Sequence, residues 1–308
     1  MSFRDDVLRG LRARPRAIPA RWFYDREGSE LFEAITALPE YYPTRVETAI
    51  LERAAAELDG ARGRAVVEFG SGSSAKTRIL LRALAPRAYV PIDISGDFLR
   101  DAAAALAAEF PATAVLPVEA DFTRPVTLPP AVADAPKLGF FPGSTIGNLE
   151  PAPAVDLLRA MRGSLGDGAL LLIGMDRAKD RDTLVRAYDD EAGVTARFDL
   201  NLLARVNREL GGDVPLEAFR HRALWNEGAG RIEMHLEALR DVAFAVAGER
   251  FAMAAGETIH TENSHKYTPD AARLLLRAGG WEPRAEWTDA DDLFMVVLAQ
   301  GEAGRVAP

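Results

Sequence analysis

Cysteine is absent from the 308 residues, which excludes disulfides, a thiolate zinc site and a cysteine nucleophile. No apolar run approaches the length of a membrane span, and the opening residues Met1 to Asp6 carry acids without an apolar signal core. A cytoplasmic protein without a membrane partner is therefore expected. Excess positive charge is also missing. The formal net charge of −9 argues against nonspecific binding to nucleic acid, so no nucleic-acid partner is expected. The 4 histidines, His221, His235, His260 and His265, lack the spacing of a metal site. They read as strand-surface or structural positions, and no metal is expected. What the chain does have is apolar mass: at 48% hydrophobic it can bury a full core, in one large domain or two.

The stretch from Arg64 to Leu81 organises the rest. Ala65-Val66-Val67 is too short for a helix and suits a buried strand. Glu68 then leads into the small-residue turn Gly70-Ser71-Gly72-Ser73-Ser74, after which Ile79, Leu80 and Leu84 are spaced for one buried helical face. Strand, glycine turn and helix open a nucleotide-binding α/β domain, where glycines let the backbone approach a ligand. Further strands are predicted over Ala88–Ile92 (ending at Asp93), Ala114–Val118, Leu138–Phe141 and Gly168–Asp176, with helices over Gly96–Phe110 and Pro151–Leu165. This alternation predicts a parallel sheet covered on both faces.

The rhythm breaks after Asp176. Residues 177–220 read as helical and 221–266 as antiparallel strands, with alternation clearest over Arg231–Glu237. A helix over Pro269–Ala278 and a strand over Phe294–Ala299 then restore the α/β pattern. Near the N-terminus, Ser29–Leu38 and Thr44–Leu58 have helical spacing. Between them Tyr41 and Tyr42 lie in a loop bracketed by Pro39 and Pro43, where their hydroxyls need partners and suit a ligand wall. The predicted fold is an α/β domain formed by 46–176 and 268–308, with an inserted α+β domain formed by 1–45 and 177–267.

In an open parallel sheet, ligands bind beyond the carboxyl ends of the strands. Asp93 is placed there to accept hydrogen bonds from two ribose hydroxyls. Asp121 suits an adenine edge, with Phe122 against the ring. Ser73 or Ser74 replaces the third glycine of a dinucleotide fingerprint, so adenosine without a diphosphate, as in S-adenosylmethionine, fits better than NAD. Each acid alone is equally a strand-end surface residue or a helix cap; several at successive strand ends favour the ligand.

Specific motifs then point to a family. They are W-F-Y-D at 22–25, L-P-E-Y-Y-P-T-R at 38–45, E-F-G-S-G-S-S-A-K-T at 68–77 and G-S-T-I-G-N-L at 143–149. V-R-A-Y-D-D at 185–190, R-I-E-M at 231–234 and T-E-N-S-H-K-Y at 261–267 complete the set. Across nearly its whole length the chain resembles the histidine-specific Nα-methyltransferases of ergothioneine biosynthesis. The resemblance implies a class I (Rossmann-like) methyltransferase sheet with a split substrate-binding domain, and conversion of free histidine to its Nα-trimethyl form, hercynine. It implies that Gly70, Lys76, Asp93, Asp121 and Phe122 bind S-adenosylmethionine. Tyr41, Asn148 and Tyr188 would hold the α-amino and carboxylate groups, with Gly143 among the substrate contacts. Glu262 and Ser264 would read the imidazole, with Met234 lining that pocket. Asn263, His265 and Tyr267 fall where the family varies.

Two of these roles have independent physical sense. If Ile259 to Lys266 is extended, Glu262 and Ser264 share a face and suit the two ring nitrogens. Met234 shares a face with Ile232 and Leu236, so core packing is its alternative role. Methyl transfer from a sulfonium is an in-line displacement in which positioning supplies much of the acceleration. Tyr41, Asn148 and Tyr188 are expected to orient the nitrogen, with a tyrosine hydroxyl or a water taking its proton. A monomer is expected. Two other readings stand beside this one: a relative that methylates another free amino acid or stops at fewer methyl groups, and a non-catalytic binder of adenosylmethionine or an amino acid.

Overall fold

A computed structural model describes residues 2–72, 75–94 and 96–301. Helix α1 (Phe3–Arg12) starts at a capping box, in which Ser2 and Asp5 each bond the other's backbone N–H. The two-residue strand β1 (Arg16–Ala17) follows, then α2 (Arg26–Thr36), capped by Asp25, and α3 (Tyr42–Ala54). The α/β series runs β2 (Ala65–Phe69), α4 (Ala75–Leu84), β3 (Ala88–Asp93), α5 (Gly96–Glu109), β4 (Ala114–Val115) and β5 (Val118–Glu119). It continues through β6 (Lys137–Phe141), α6 (Pro151–Leu165) and β7 (Leu170–Asp176). Next come α7 (Arg181–Tyr188), α8 (Val194–Leu210), β8 (Phe219–Asn226), β9 (Arg231–Ala238), β10 (Val242–Val246), β11 (Glu249–Met253) and β12 (Thr258–His265). The described chain closes with α9 (Pro269–Ala278), β13 (Trp281–Thr288) and β14 (Phe294–Gly301).

Two compact units divide these elements. The larger comprises Pro43–Ala178 and the chain from Tyr267 onward. Its sheet has the order β13-β14-β7-β6-β2-β3-β4, with β5 also paired to β3. Strands β7, β6, β2, β3, β4 and β5 are parallel, while β14 runs antiparallel to both β7 and β13. All five residues of β2 are buried because alternate side chains enter separate cores. Val67 and Phe69 pack with Leu157, Leu158 and Leu276 from α6 and α9. Val66 packs with Ile50, Leu51, Leu80 and Leu84 from α3 and α4.

Three local expectations are corrected. The third predicted strand is split into β4 and β5 by Pro117, which has no N–H for a ladder. The edge strand β13 was not anticipated, because Pro283 and the charges of Glu282, Arg284 and Glu286 mask its alternation. Its register shifts at Pro283. Tyr42 is not in a loop; it opens α3, where Pro43 is tolerated in the first turn.

The smaller unit comprises the chain up to Tyr42 together with Lys179–Lys266. Its four-stranded sheet runs β1-β12-β9-β8, and β10 and β11 form a separate hairpin. A bulge at Thr261, between His260 and Glu262, resets the pairing of β12 with β9. Helices α7 and α8 are tied to β8 through one histidine. His221 joins Asp199 of α8 through Nδ1 (2.7 Å) and the Tyr188 carbonyl through Nε2 (2.8 Å). Burial alone would lower the His221 pKa, but the bond and charge of Asp199, together with the Tyr188 carbonyl and the charge of Asp189, raise it.

Candidate active site

The carboxyl ends of β2, β3 and β6 in the larger unit carry the first half of the expected set. Gly70 turns out of β2 with φ +74°, a conformation that favours glycine, and donates its N–H to the Ile92 carbonyl (2.8 Å). A Cβ at Gly70 would lie 3.5 Å from the Phe122 ring. That ring stands edge-on to Phe69 and Phe141, at 6.2 and 6.1 Å between centroids. Asp93 ends β3 half-buried. Asp121 is exposed, and its Oδ1 accepts from the Thr123 N–H (3.0 Å) and hydroxyl (2.6 Å). The strand-end surface role open to that residue is thus present in the structure: no helix starts there, and the acid braces a turn. Ser73 and Ser74 lie outside the described residues.

Sequence reasoning missed the residue that gathers this region. Glu47 of α3 is fully buried; it pairs with Lys76 and accepts the Gly143 N–H on both carboxylate oxygens at 2.9 Å. A Cβ on Gly174 would fall 1.9 Å from Glu47 Oε1, so only glycine there leaves room for the acid. One signal was available: Glu47 heads the stripe Glu47-Ile50-Leu51-Ala54, an acid at a position where the helix period calls for an apolar residue. Next to it, Ser144 sits at φ 54° and accepts the Asp176 N–H (2.9 Å), fixing the loop that leads to half-buried Asn148.

Glu68 is also buried, and accepts from Thr77 (2.6 Å) and Tyr89 (2.5 Å). Burial pushes its carboxyl up to about 7, against the pull of those hydrogen bonds and of Lys76. The glycine turn, the Phe122 ring beside it and the Asp93 carboxylate at the next strand end fit an adenosine-bearing methyl donor.

The smaller unit carries the other half. Register sets Glu262 opposite Met234 and Ser264 opposite Ile232, so these four share one face. Met234 is 2% exposed, so the methionine also belongs to the packed interior. The Tyr188 hydroxyl meets Ser264 Oγ at 2.7 Å, and the Tyr188 ring lies edge-on to Tyr41 at 6.0 Å. Lys266, to which no role fell from sequence, donates to both hydroxyls, at 3.0 Å to Tyr188 and 2.7 Å to Ser264. Its place two residues beyond Ser264 was the signal.

On the opposite face of β9 and β12 the histidines are closer than their spacing suggested. His235 and His260 are cross-strand partners with rings stacked at 4.9 Å, and ligand atoms of Glu233, His235 and His260 lie within 4.8 Å of one another. Glu233 is bonded by Arg231 (2.8 Å), Asn226 (2.9 Å) and His235 (3.1 Å). Burial would raise its carboxyl, but these bonds prevail and hold it at about 2.

Comparison with known proteins decides the family. A family described as histidine-specific, S-adenosylmethionine-dependent methyltransferases matches residues 3–301. The chain belongs to it. The chain is 45% identical over 305 residues to a histidine N-alpha-methyltransferase of Mycolicibacterium smegmatis, across 97% of this chain and 94% of that protein. It is 43% identical over 306 residues to the protein of the same name from Mycobacterium tuberculosis, across 97% and 95% respectively. Ergothioneine biosynthesis protein 1 of Neurospora crassa is 30% identical over 296 residues, covering 93% of this chain and 33% of that protein. Membership of this family makes the chain an S-adenosylmethionine-dependent methyltransferase with a small-molecule substrate. Among the described residues, no helix is long and apolar enough to cross a membrane.

Proposed function

We propose that this enzyme methylates the α-nitrogen of free L-histidine three times, giving hercynine for ergothioneine biosynthesis. The observation that carries the reading is the polar face of β12, where Glu262 and Ser264 stand beside Met234. An acid and a hydroxyl on one face suit the two imidazole nitrogens, and a ring lacking them leaves those groups without partners. The full-length relatives are named for the same reaction.

Gly70, Lys76, Asp93, Asp121 and Phe122 are the residues that hold the methyl donor. When bound, that donor supplies a methyl group on a positively charged sulfur that departs as a neutral thioether. The chain's own work is to bind, align and deprotonate the amine. Tyr41, Asn148 and Tyr188, with Gly143 close by in sequence to Asn148, hold the amino and carboxylate groups so that the nitrogen lone pair is available. A tyrosine hydroxyl or a water takes the proton. Transfer from a sulfonium requires no Lewis acid, so this reading assigns no metal.

The test is product mass spectrometry after incubation with S-adenosylmethionine and an equimolar pool of the twenty amino acids. Histidine alone should gain mass, ending at three methyl groups. Methylation of another amino acid would instead show that the ring-reading residues have been misassigned.

A further inference from the structure

His221 faces an acceptor with each of its two nitrogens. Nδ1 meets the Asp199 carboxylate at 2.7 Å, and Nε2 meets the Tyr188 carbonyl at 2.8 Å. The imidazole side chain is 1% exposed and that of Asp199 is fully buried. Among the described residues, the other Asp199 oxygen, Oδ1, has no hydrogen-bond partner, so His221 is the group that answers this acid.

A carbonyl oxygen only accepts, whatever else it bonds, and so does a carboxylate. A neutral imidazole has one N–H and would leave a lone pair aimed at one of the two oxygens. Both bonds form together only when the pair holds two protons, and these belong on the ring, the more basic partner. His221 is therefore an imidazolium balanced by Asp199. The negative charge of Asp189, the residue after α7, favours the same form. With both nitrogens donating, the ring has no lone pair left to take a proton from a substrate. Its contribution is geometric.

What it holds is the end of a short helix. α7 has 8 residues and stops at Tyr188, whose carbonyl is among the last four, which find no partner inside a helix. A cation there also complements the negative end of the helix. Asp189 already has non-helical dihedrals (φ −145°, ψ 70°), so the His221 bond fixes the point where the chain leaves α7. The residue held there carries the ring set edge-on to Tyr41 and the hydroxyl bonded to Ser264. A rigid ring bonded at both ends thus runs from α8 to the backbone of Tyr188. Apolar side chains would fill the same space without loss of stability, because a buried ion pair gains little net energy; what the pair adds is direction.

We propose that Asp199 and His221 are positioning residues that anchor the end of α7, so that the Tyr188 side chain meets the substrate's amino and carboxylate groups. This rests on the functional reading given above.

The test separates direction from packing. The double variant Asp199→Leu/His221→Phe replaces the ion pair with apolar groups and should keep the thermal stability of wild type. Its kcat/KM for histidine should nonetheless fall at least about 30-fold, as a misplaced substrate contact does, with S-adenosylhomocysteine affinity held within about twofold. Asp199→Asn can donate its amide N–H to Nδ1 and leave the Nε2 hydrogen on the Tyr188 carbonyl, so kcat/KM should stay within about threefold of wild type. Wild-type kcat/KM in the double variant would reduce the pair to packing and overturn the proposal, as would a loss in Asp199→Asn as large as the double variant's. Should the double variant not fold, Asp199→Asn/His221→Phe, which also buries no charge, carries the same comparison. Nitrogen-15 spectra of wild type need no variant: at about pH 7.5, where an ordinary histidine is about one-tenth charged, both His221 nitrogens should carry hydrogen. A singly protonated His221 would overturn the proposal too. Failure of the underlying functional reading looks different: wild type would then not methylate histidine at all.

Discussion

The two units spend their buried polar groups differently. In the larger unit, buried carboxylates hold structure in place: Glu47 takes the Gly143 N–H and Lys76, and Glu68 takes Thr77 and Tyr89. In the smaller unit, Tyr188, Ser264 and Lys266 bond one another on the face shared with Met234 and Glu262. The first arrangement ties elements of the sheet domain together, and the second gathers three polar side chains at the place where the proposed function puts the substrate. A donor common to many enzymes can be held by a backbone shape, whereas a particular amino acid must be recognised by its chemistry.

The largest effect that sharpens this contrast is expected from Glu47→Ala. It leaves the mostly buried Lys76 without its acid and the Gly143 N–H without its acceptor, a loss of about 3 kcal/mol for breaking a buried pair. Chemical denaturation should show the lost stability, and titration with S-adenosylhomocysteine should show at least tenfold weaker binding. Retained donor affinity would break the claim that Glu47 shapes that end.

Glu68→Gln comes next, and its sign depends on pH. The Glu68 pKa is raised from its ordinary value to about 7, so the folded state holds a proton more firmly than the unfolded state between about pH 4.5 and 7. Wild-type stability should therefore be greatest below that window and fall as pH rises through it. The Gln variant does not titrate, so its stability relative to wild type should improve by about 2 kcal/mol between pH 5 and pH 8. Parallel denaturation curves at the two pH values would contradict this.

Ser264→Ala removes one of those three side chains, at about 1.4 kcal/mol, or tenfold in histidine affinity. The smallest effect is expected from Tyr41→Phe. It should slow turnover of histidine several-fold more than turnover of Nα,Nα-dimethylhistidine, because the primary amine has more N–H bonds to orient. Equal slowing of both would remove Tyr41 from that role.

The sequence showed the glycine turn, Asp93 and the loop from Gly143 because strand ends in a parallel sheet are set by local alternation and turn residues. It also showed the shared face of Glu262 and Ser264, since period two is a local property. The stacking of His235 on His260 was hidden because it depends on cross-strand register, reset by the bulge at Thr261. Glu47 was hidden for a related reason: its partners lie 29 and 96 positions away, and only the fold brings them in. Lys266 was nearest to being legible, one alternation step past a residue already singled out.

The division of labour between the units is tested most directly by a crossed titration of Gly70→Ala and Ser264→Ala. Each variant would be titrated with S-adenosylhomocysteine alone, then with L-histidine at saturating S-adenosylhomocysteine. Gly70→Ala forces a side chain into a backbone conformation at φ +74° that L-residues disfavour by about 1–2 kcal/mol. It should weaken the nucleoside ligand about tenfold and leave histidine nearly unchanged, while Ser264→Ala should do the reverse. If each variant weakened both ligands equally, the two ends would not be separately built and the account would be wrong.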